Sequence, residues 1–378
     1  MKIVVVGAGI FGASVAYHLA REGAEVVLID RADAGRATAA GAGIVCAWGS
    51  RIDNDADYAL LEGGGRYYPT LAAELAERGE TDLGYARVGS LFAPDDHDTL
   101  DAVERTIRRR AGNAPEVGRV ERLAPADARA LCPLLREDLP AVFVEGGARV
   151  NGRKVTASLT RAAASLGARP VQGSADLIAT GDRVTGVRSG GEAIGCDAVV
   201  VAAGAWASTL LAPLGVASGV QPQRGQIVHF RKPGIDTSCW PTVQPVTSYY
   251  MLAFDDSRVV VGASRETGSG FAYHLTAAGV AGVLEAGLHT LPGLADWSIE
   301  EIRIGFRPFA DDARPVLGPA PGVAGLWIAN GLGPSGLAMG PYAGALLADA
   351  VLGRTPALDL AAFDPARFAT LTPMPAAP

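Results

Sequence analysis

Lysine is nearly absent from this 378-residue chain: of 33 basic residues only Lys2, Lys154 and Lys232 are lysine. Runs of positive charge are equally scarce, Arg108 to Arg110 being the one stretch, and the formal net charge is −7. Phosphate backbones are held by a concentrated positive face, so a nucleic-acid partner is excluded. Cysteine is sparse too. Cys46, Cys132, Cys196 and Cys239 form no C-x-x-C pair, and no histidine stands at metal-ligand spacing from any of them. That excludes a disulfide framework and a metal centre, and it points to free thiols in a reducing, cytoplasmic compartment. Long apolar runs are missing as well. The nearest approach, residues 3–20, is interrupted by Gly7, Gly9 and Gly12, carries His18, and is preceded by Lys2 alone. It reads as a folded strand, turn and helix rather than a leader or a membrane span.

Glycine, by contrast, is abundant. There are 48 glycines in 378 residues, about 13% against roughly 7% in average usage. They follow no fixed period, which excludes a collagen-like chain, and hydrophobic residues make up 49% of the sequence. The length suffices for a large core and more than one domain.

The first thirty residues are the most informative. Lys2 to Val6 is a β-branched run suited to a strand buried on both faces. GAGIFG follows at Gly7 to Gly12, then a helical stretch that ends at Gly23. Residues 24–29 (AEVVLI) form a second buried strand closed by Asp30. This is a complete βαβ unit carrying the G-x-G-x-x-G dinucleotide fingerprint. Gly7 permits the tight turn, Gly9 lets the backbone approach a pyrophosphate, and Gly12 lets the helix pack on the strand. The helix N-terminus offers N–H groups and partial positive charge to the phosphates. Asp30, 18 residues after Gly12, is placed to accept hydrogen bonds from a ribose.

A nicotinamide enzyme would continue with further alternating strands and helices. Here the chain enters a Gly- and Ala-rich stretch, RADAGRATAAGAGIVCAWGS, whose small residues suit a backbone lying against a flat ring. Beyond it, helices are expected over 56–79, 98–112, 124–133 and 153–168, with strands at 88–94 and 140–147. A weaker strand over 173–178 precedes a hairpin at 183–188 and 192–196, then a buried strand ending at Gly204. Residues 221–305 change character, with short strands at 224–231, 249–255 and 258–264 and a helix over 276–291. The α/β pattern returns at GLWIANG, a GPSG turn and a helix over 337–353, and the tail 371–378 is expected to be disordered. Gly63 to Gly65, inside a helix, have no evident purpose in the sequence.

The combination of GAGIFG, TAAGAG, VVVAAGAW (199–206), PQRGQ (222–226), GFRPFADDARPVLG (305–318) and NGLGPSGLAMGP (330–341) resembles the D-amino-acid oxidase superfamily of FAD-dependent oxidoreductases. Within it the chain is similar in size to glycine oxidases and small D-amino-acid dehydrogenases. The resemblance implies an α/β two-domain fold with a glutathione-reductase-type Rossmann FAD domain and an antiparallel-sheet cap. The implied FAD domain takes residues 1–87, 146–220 and 306–370; the cap takes 88–145 and 221–305.

It further implies that the FAD pyrophosphate lies over Gly9, Ile10 and Phe11, with the adenosine ribose on Asp30 beside Arg31. Thr38, Ala39, Gly43 and Ile44 belong to the loop facing the flavin, and Ala175 meets the adenine. Ala203, Gly204 and Trp206 belong to the second nucleotide strand. Gly331, Leu332, Gly333, Pro334, Ser335, Gly336 and Leu337 run along the ribityl chain and the flavin O2 edge. Arg307 stands where amino-acid-oxidising members grip the substrate carboxylate, and Tyr250 where they support it. Tyr249 is the alternative if the register slips by one. A surface ion pair and a half-buried strand aromatic are the plain alternatives for Arg307 and Tyr250.

The chain departs from the family in three places. Leu332 replaces a common histidine. Ala310 and Asp311 stand where covalently flavinylated members carry cysteine, so FAD is expected to be noncovalent. No lysine is placed over the flavin as in some sarcosine-oxidising members, which leaves the electron acceptor open between O2 and a quinone or other carrier. Trp48, Arg51, Phe309 and Pro334 are placed near the pocket without an assigned role.

The implied activity is oxidative deamination of a small α-amino acid, D rather than L, glycine or a secondary amino acid, by hydride transfer from Cα. Two readings stand beside it: the flavin subunit of a hetero-oligomeric sarcosine- or hydroxyproline-type dehydrogenase, and a 2-hydroxy-acid oxidoreductase. Homo-oligomerisation and peripheral association with a membrane surface are left open.

Overall fold

The computed structural model describes residues 1–370, so the expectation for the tail 371–378 lies outside the described residues. The βαβ unit forms as the sequence requires: β1 (Lys2–Val6), α1 (Ile10–Arg21) and β2 (Glu25–Asp30). β1 lies parallel between β2 and strand Ala198–Val201, at the centre of a six-stranded sheet. The sheet order is Val316–Pro319, Leu326–Asn330, Ala198–Val201, β1, β2, Arg169–Gln172. Only Val316–Pro319 runs antiparallel to its neighbour.

Alternation along these strands divides the interior in two. Ile3, Val5, Val26, Leu28 and Val200 face the helical layer built from α1 and helices Asp55–Ala76, Gly152–Ser165 and Gly336–Val351. Val4, Val6, Val27, Ile29 and Val199 face the other way, against Val184, Val187 and Ile194. The latter belong to a three-stranded antiparallel meander over Asp176–Thr180, Arg183–Ser189 and Glu192–Gly195. A strand buried on both faces must be apolar at every position, which is why β1 reads as a continuous run.

The glycines at 63–65 find their reason in the helical layer. A Cβ on Gly64 would overlap the Ala338 carbonyl, and one on Gly63 would meet the Tyr342 ring. Helix Asp55–Ala76 can therefore rest backbone to backbone on helix Gly336–Val351, whose first turn borders the site described below.

A nine-stranded, mostly antiparallel sheet forms the second layer system. Its spine is strand Val220–Arg231, which pairs with Arg258–Gly262 on one side and Ser298–Ala310 on the other. The thirteen-residue strand Ser298–Ala310 departs from the expectation of short strands only. Its local sequence mixes charge with apolar residues, and it is held by pairing with a partner some eighty residues earlier, from Val220↔Ala310 to Arg231↔Ser298. Strand formation of that kind is set by neighbours rather than by local propensity. The expected GPSG turn is a 3-10 turn, Gly333–Ser335, running directly into helix Gly336–Val351. A four-residue helical turn, Ala37–Ala40, appears in the Gly/Ala-rich stretch where no helix was expected.

No helix among the described residues is long and apolar enough to cross a membrane.

Candidate active site

One cavity of about 800 Å³ takes its wall from both sheets. The six-stranded sheet contributes the loops after β1, β2, Ala198–Val201 and Leu326–Asn330, at the carboxyl ends of parallel strands where ligands of open α/β sheets bind. The antiparallel sheet contributes Gln223, Tyr250 and Arg307 from its strands and Arg265 from the link between Arg258–Gly262 and Glu266–Thr267.

At the nucleotide end, Gly7 has φ +107°, and a Cβ there would overlap the Ala202 carbonyl; a Cβ on Gly12 would overlap Gly7 O. The two glycines let strand, turn and helix close on one another. Gly9 caps α1 without a side-chain hydrogen bond. The Ile10 N–H donates to Thr38 Oγ1 at 3.1 Å, and the N–H groups that follow are left for an anion. Asp30 Oδ2 accepts from the Ala8 N–H and Oδ1 from the Ala32 N–H, each at 2.6 Å. Arg36 adds an ion pair at 3.3 Å. These contacts lock the carboxylate in place, and its four lone-pair sites leave acceptor capacity for a sugar hydroxyl.

Two strand ends are tied together by a residue the sequence did not single out. Asn330 is buried; its amide donates to Gly204 O and its oxygen accepts from the Gly331 N–H, both at 2.9 Å. It joins the 199–206 motif to the 330–341 motif.

At the other end, Arg307 stands opposite Gln223 in the register of Val220–Arg231 with Ser298–Ala310, and its Nη1 donates to Gln223 Oε1 at 2.6 Å. Gly225 leaves room for the guanidinium, since a Cβ there would lie 3.3 Å from Arg307 Nη2. Burial pulls the Arg307 pKa below its ordinary value; Tyr250 opposes that shift and Arg265 adds to it. Burial raises the Tyr250 pKa, against the pull of Arg307 and Arg265, so the phenol keeps its proton. Tyr249 and Tyr250 both line the cavity. A Cβ on Gly262 would lie 3.1 Å from the Tyr250 hydroxyl, and one on Gly282 would lie 2.9 Å from the Tyr249 hydroxyl, toward helix Ala277–Thr290.

Most sequence-selected residues share this wall: Gly7, Gly9, Ile10, Phe11, Asp30, Arg31, Thr38, Gly43, Ile44, Ala175, Ala203, Gly204, Trp206, Tyr250, Arg307 and all of Gly331 to Leu337. Gly12 and Ala39 stand off it. Gly12 acts through packing, and the Ala39 carbonyl accepts from Arg153 Nε at 2.9 Å. Arg51, Phe309 and Pro334 line the cavity, while Trp48 packs in the core with Phe92 and Val103. Gln223 and Arg265 were missed. The PQRGQ motif pointed to the first, but nothing local marked Arg265.

None of the five histidines is on the wall. His18 and His229 are buried, and desolvation lowers each to about 3. Cys46 is the cysteine on the wall, and burial pushes its thiol up to about 11, keeping it protonated and a poor nucleophile. The remaining cysteines are free thiols elsewhere.

A family model described as FAD dependent oxidoreductase (DAO) matches residues 2–350. The chain belongs to that family. Its members depend on FAD, and the glycine turn, uncapped helix N-terminus, locked Asp30 and small-residue wall fit that cofactor without a covalent link. This FAD-dependent oxidoreductase is 46% identical over 364 residues to the oxidoreductase YurR of Bacillus subtilis (strain 168), covering 96% of this chain and 98% of that one. It is 31% identical to a glycine oxidase of Pseudomonas aeruginosa, over 97% and 98% of the two chains. Among solved structures it superposes on an iminodiacetate oxidase of Chelativorans sp. BNC1 with a TM-score of 0.93. The identity there is 50%, over 96% and 98% of the two chains.

Proposed function

We propose that this oxidoreductase oxidises the C–N bond of a small amino acid, primary or secondary, to an imino acid that water then hydrolyses. The observation that carries the reading is Arg307: a half-buried guanidinium on the cavity wall, whose hydrogen-bond partner Gln223 is neutral. A buried cation without a counter-charge is costly, and a substrate carboxylate supplies the missing anion through a bidentate pair. Tyr250, held as a neutral phenol beside Arg307, donates a further hydrogen bond to the same carboxylate. The glycine oxidase and iminodiacetate oxidase similarities support an amine bearing a carboxylate.

FAD, when bound, would supply the acceptor for the hydride leaving Cα. The protein's share is to fix the carboxylate so that the C–H bond holds one orientation. A neutral amine needs no protein base, in keeping with the absence of histidine from the wall. A 2-hydroxy acid would need a group to take the alcohol proton, which disfavours that reading. Under the proposal, segments 1–87, 146–220 and 306–370 carry the cofactor and 88–145 and 221–305 carry the substrate side, except that Arg307 reaches the substrate from strand Ser298–Ala310 of the antiparallel sheet.

Arg307→Ala tests it. The KM for carboxylate-bearing amines should rise about tenfold or more, the loss expected for a charge-assisted hydrogen bond; an unchanged KM would remove the role. Anaerobic flavin bleaching with glycine, sarcosine, iminodiacetate and D- and L-amino acids identifies the substrate. Reoxidation by oxygen or by a dye separates oxidase from dehydrogenase.

A further inference from the structure

Five arginines line the cavity: Arg31, Arg36, Arg51, Arg265 and Arg307. Four have partners. Arg31 pairs with Asp33, Arg36 with Asp30, Arg51 donates to Thr247 O, and Arg307 to Gln223. Arg265 makes no hydrogen bond or ion pair among the described residues, and it is solvent-exposed on the wall.

Its backbone is nevertheless fixed. Ser264 Oγ accepts from the Gln226 N–H at 2.9 Å and donates to Glu266 Oε1 at 2.7 Å. Glu266 is the carboxylate nearest in sequence, but its oxygens are taken by Arg224, Gln226 and Thr276. Both neighbours of Arg265 are thus anchored in a polar network, and the one adjacent acid is spent on Arg224. Of the four carboxylates on the wall, Asp30, Asp33 and Asp57 already hold arginines, and Asp176 stands beside Ala175 at the nucleotide end. The substrate end therefore presents no carboxylate and the guanidinium groups of Arg307 and Arg265, with Arg51 held on the neutral Thr247 carbonyl. They are near enough that Arg265 bears on the ionisation of both Arg307 and Tyr250.

We propose that Arg265 takes a second acidic group of the substrate, so that the site selects amines carrying two carboxylates over those carrying one. The inference rests on the carboxylate role given above to Arg307. With one carboxylate on Arg307, a second on the far side of the amine would meet the one cation of the wall that has no partner. The same arrangement leaves a monocarboxylate substrate beside an unneutralised positive charge, which is the source of the discrimination.

Sarcosine and iminodiacetate make the test, since they differ by one carboxylate on the same secondary amine. Anaerobic flavin reduction by each is measured in the holoenzyme of the natural chain and of Arg265→Ala, Arg265→Lys and Arg307→Ala. The natural chain should favour iminodiacetate, and Arg265→Ala should lower the iminodiacetate-to-sarcosine ratio of kcat/KM about ten- to hundredfold. Arg265→Lys should restore part of it. Binding of malonate and acetate, read from the flavin difference spectrum, gives the same comparison in the natural chain without turnover or substitution; malonate should bind more tightly. If Arg307→Ala weakens both amines but Arg265→Ala moves the ratio less than twofold, or if malonate binds no better than acetate, the second-carboxylate site is overturned while the Arg307 reading stands. If Arg307→Ala leaves both amines unaffected, the two fall together.

Discussion

Gln223 and Arg307 face each other across the antiparallel pairing of Val220–Arg231 with Ser298–Ala310, and the amide oxygen of one accepts from the guanidinium of the other at 2.6 Å. A neutral acceptor here orients the cation without neutralising it. Gln223→Glu would place a permanent counter-ion on Arg307 and so compete with any substrate carboxylate. The expected result is a fall in kcat/KM of about ten- to hundredfold, carried by KM. Gln223→Leu, which removes the orientation but adds no charge, should cost less. Steady-state kinetics and the inhibition constant of acetate check both.

Asp30 joins the glycine turn to the cofactor end of the cavity through hydrogen bonds from Ala8 and Ala32 at 2.6 Å and the ion pair with Arg36. Asp30→Ala should release that turn and remove the acceptor proposed for the ribose together. FAD retention after ultrafiltration, read by absorbance, should fall by about tenfold in affinity or more, at the strength of a charged hydrogen bond. Asp30→Asn, which keeps an acceptor oxygen, should lose less.

The β1–α1–β2 unit and its glycine turn were legible because every determinant is local: a β-branched run, glycines at fixed offsets and an acid at the end of the next strand. Most other strands and helices announced themselves by period and by turn residues. Ser298–Ala310 did not, because its pairing partner lies far away in sequence. The site divides the same way. Arg307 and Tyr250 were reached through motifs, but Gln223 acquires its role only through cross-strand register, and Arg265 only through what its neighbours Ser264 and Glu266 already hold. Tyr249 and Tyr250 both reach the cavity wall, and which of them faces a ligand is a matter of register rather than composition. The charge balance of a cavity wall is a tertiary property and has no local signature.

Glu266 gives a pH dependence. Burial alone would raise its pKa, but hydrogen bonds from Gln226, Ser264, Arg224 and Thr276 outweigh that and bring it down to about 2. The folded value lies below the unfolded one, so the stabilisation is fully present above about pH 4.5 and is lost as pH falls toward 2. The loss should be on the order of 3 kcal/mol. Urea unfolding between pH 6 and pH 3 should show the natural chain losing more stability than Glu266→Gln, whose group does not titrate. Equal acid sensitivity of the two would show that the network around Arg224 does not set the acid limb.

Gly64 couples the helical layer to the cofactor end of the cavity. A Cβ at this position would overlap the Ala338 carbonyl, in the first turn of helix Gly336–Val351, and the wall includes Leu337, Ala338 and Met339. Gly64→Val must push that helix away from Asp55–Ala76, and overpacking of this kind costs about 1–3 kcal/mol. The displacement acts on the turn that presents Gly333 to Leu337 to the cavity, so FAD affinity should weaken along with thermal stability. Gly65→Val is the control: nothing lies within 4 Å of a Cβ there, and only helix propensity changes. The expected ordering is a lower Tm and lower flavin content for Gly64→Val than for Gly65→Val, measured on protein purified without added FAD. Equal behaviour of the two variants would mean that close approach at Gly64 does not hold the cofactor turn in position.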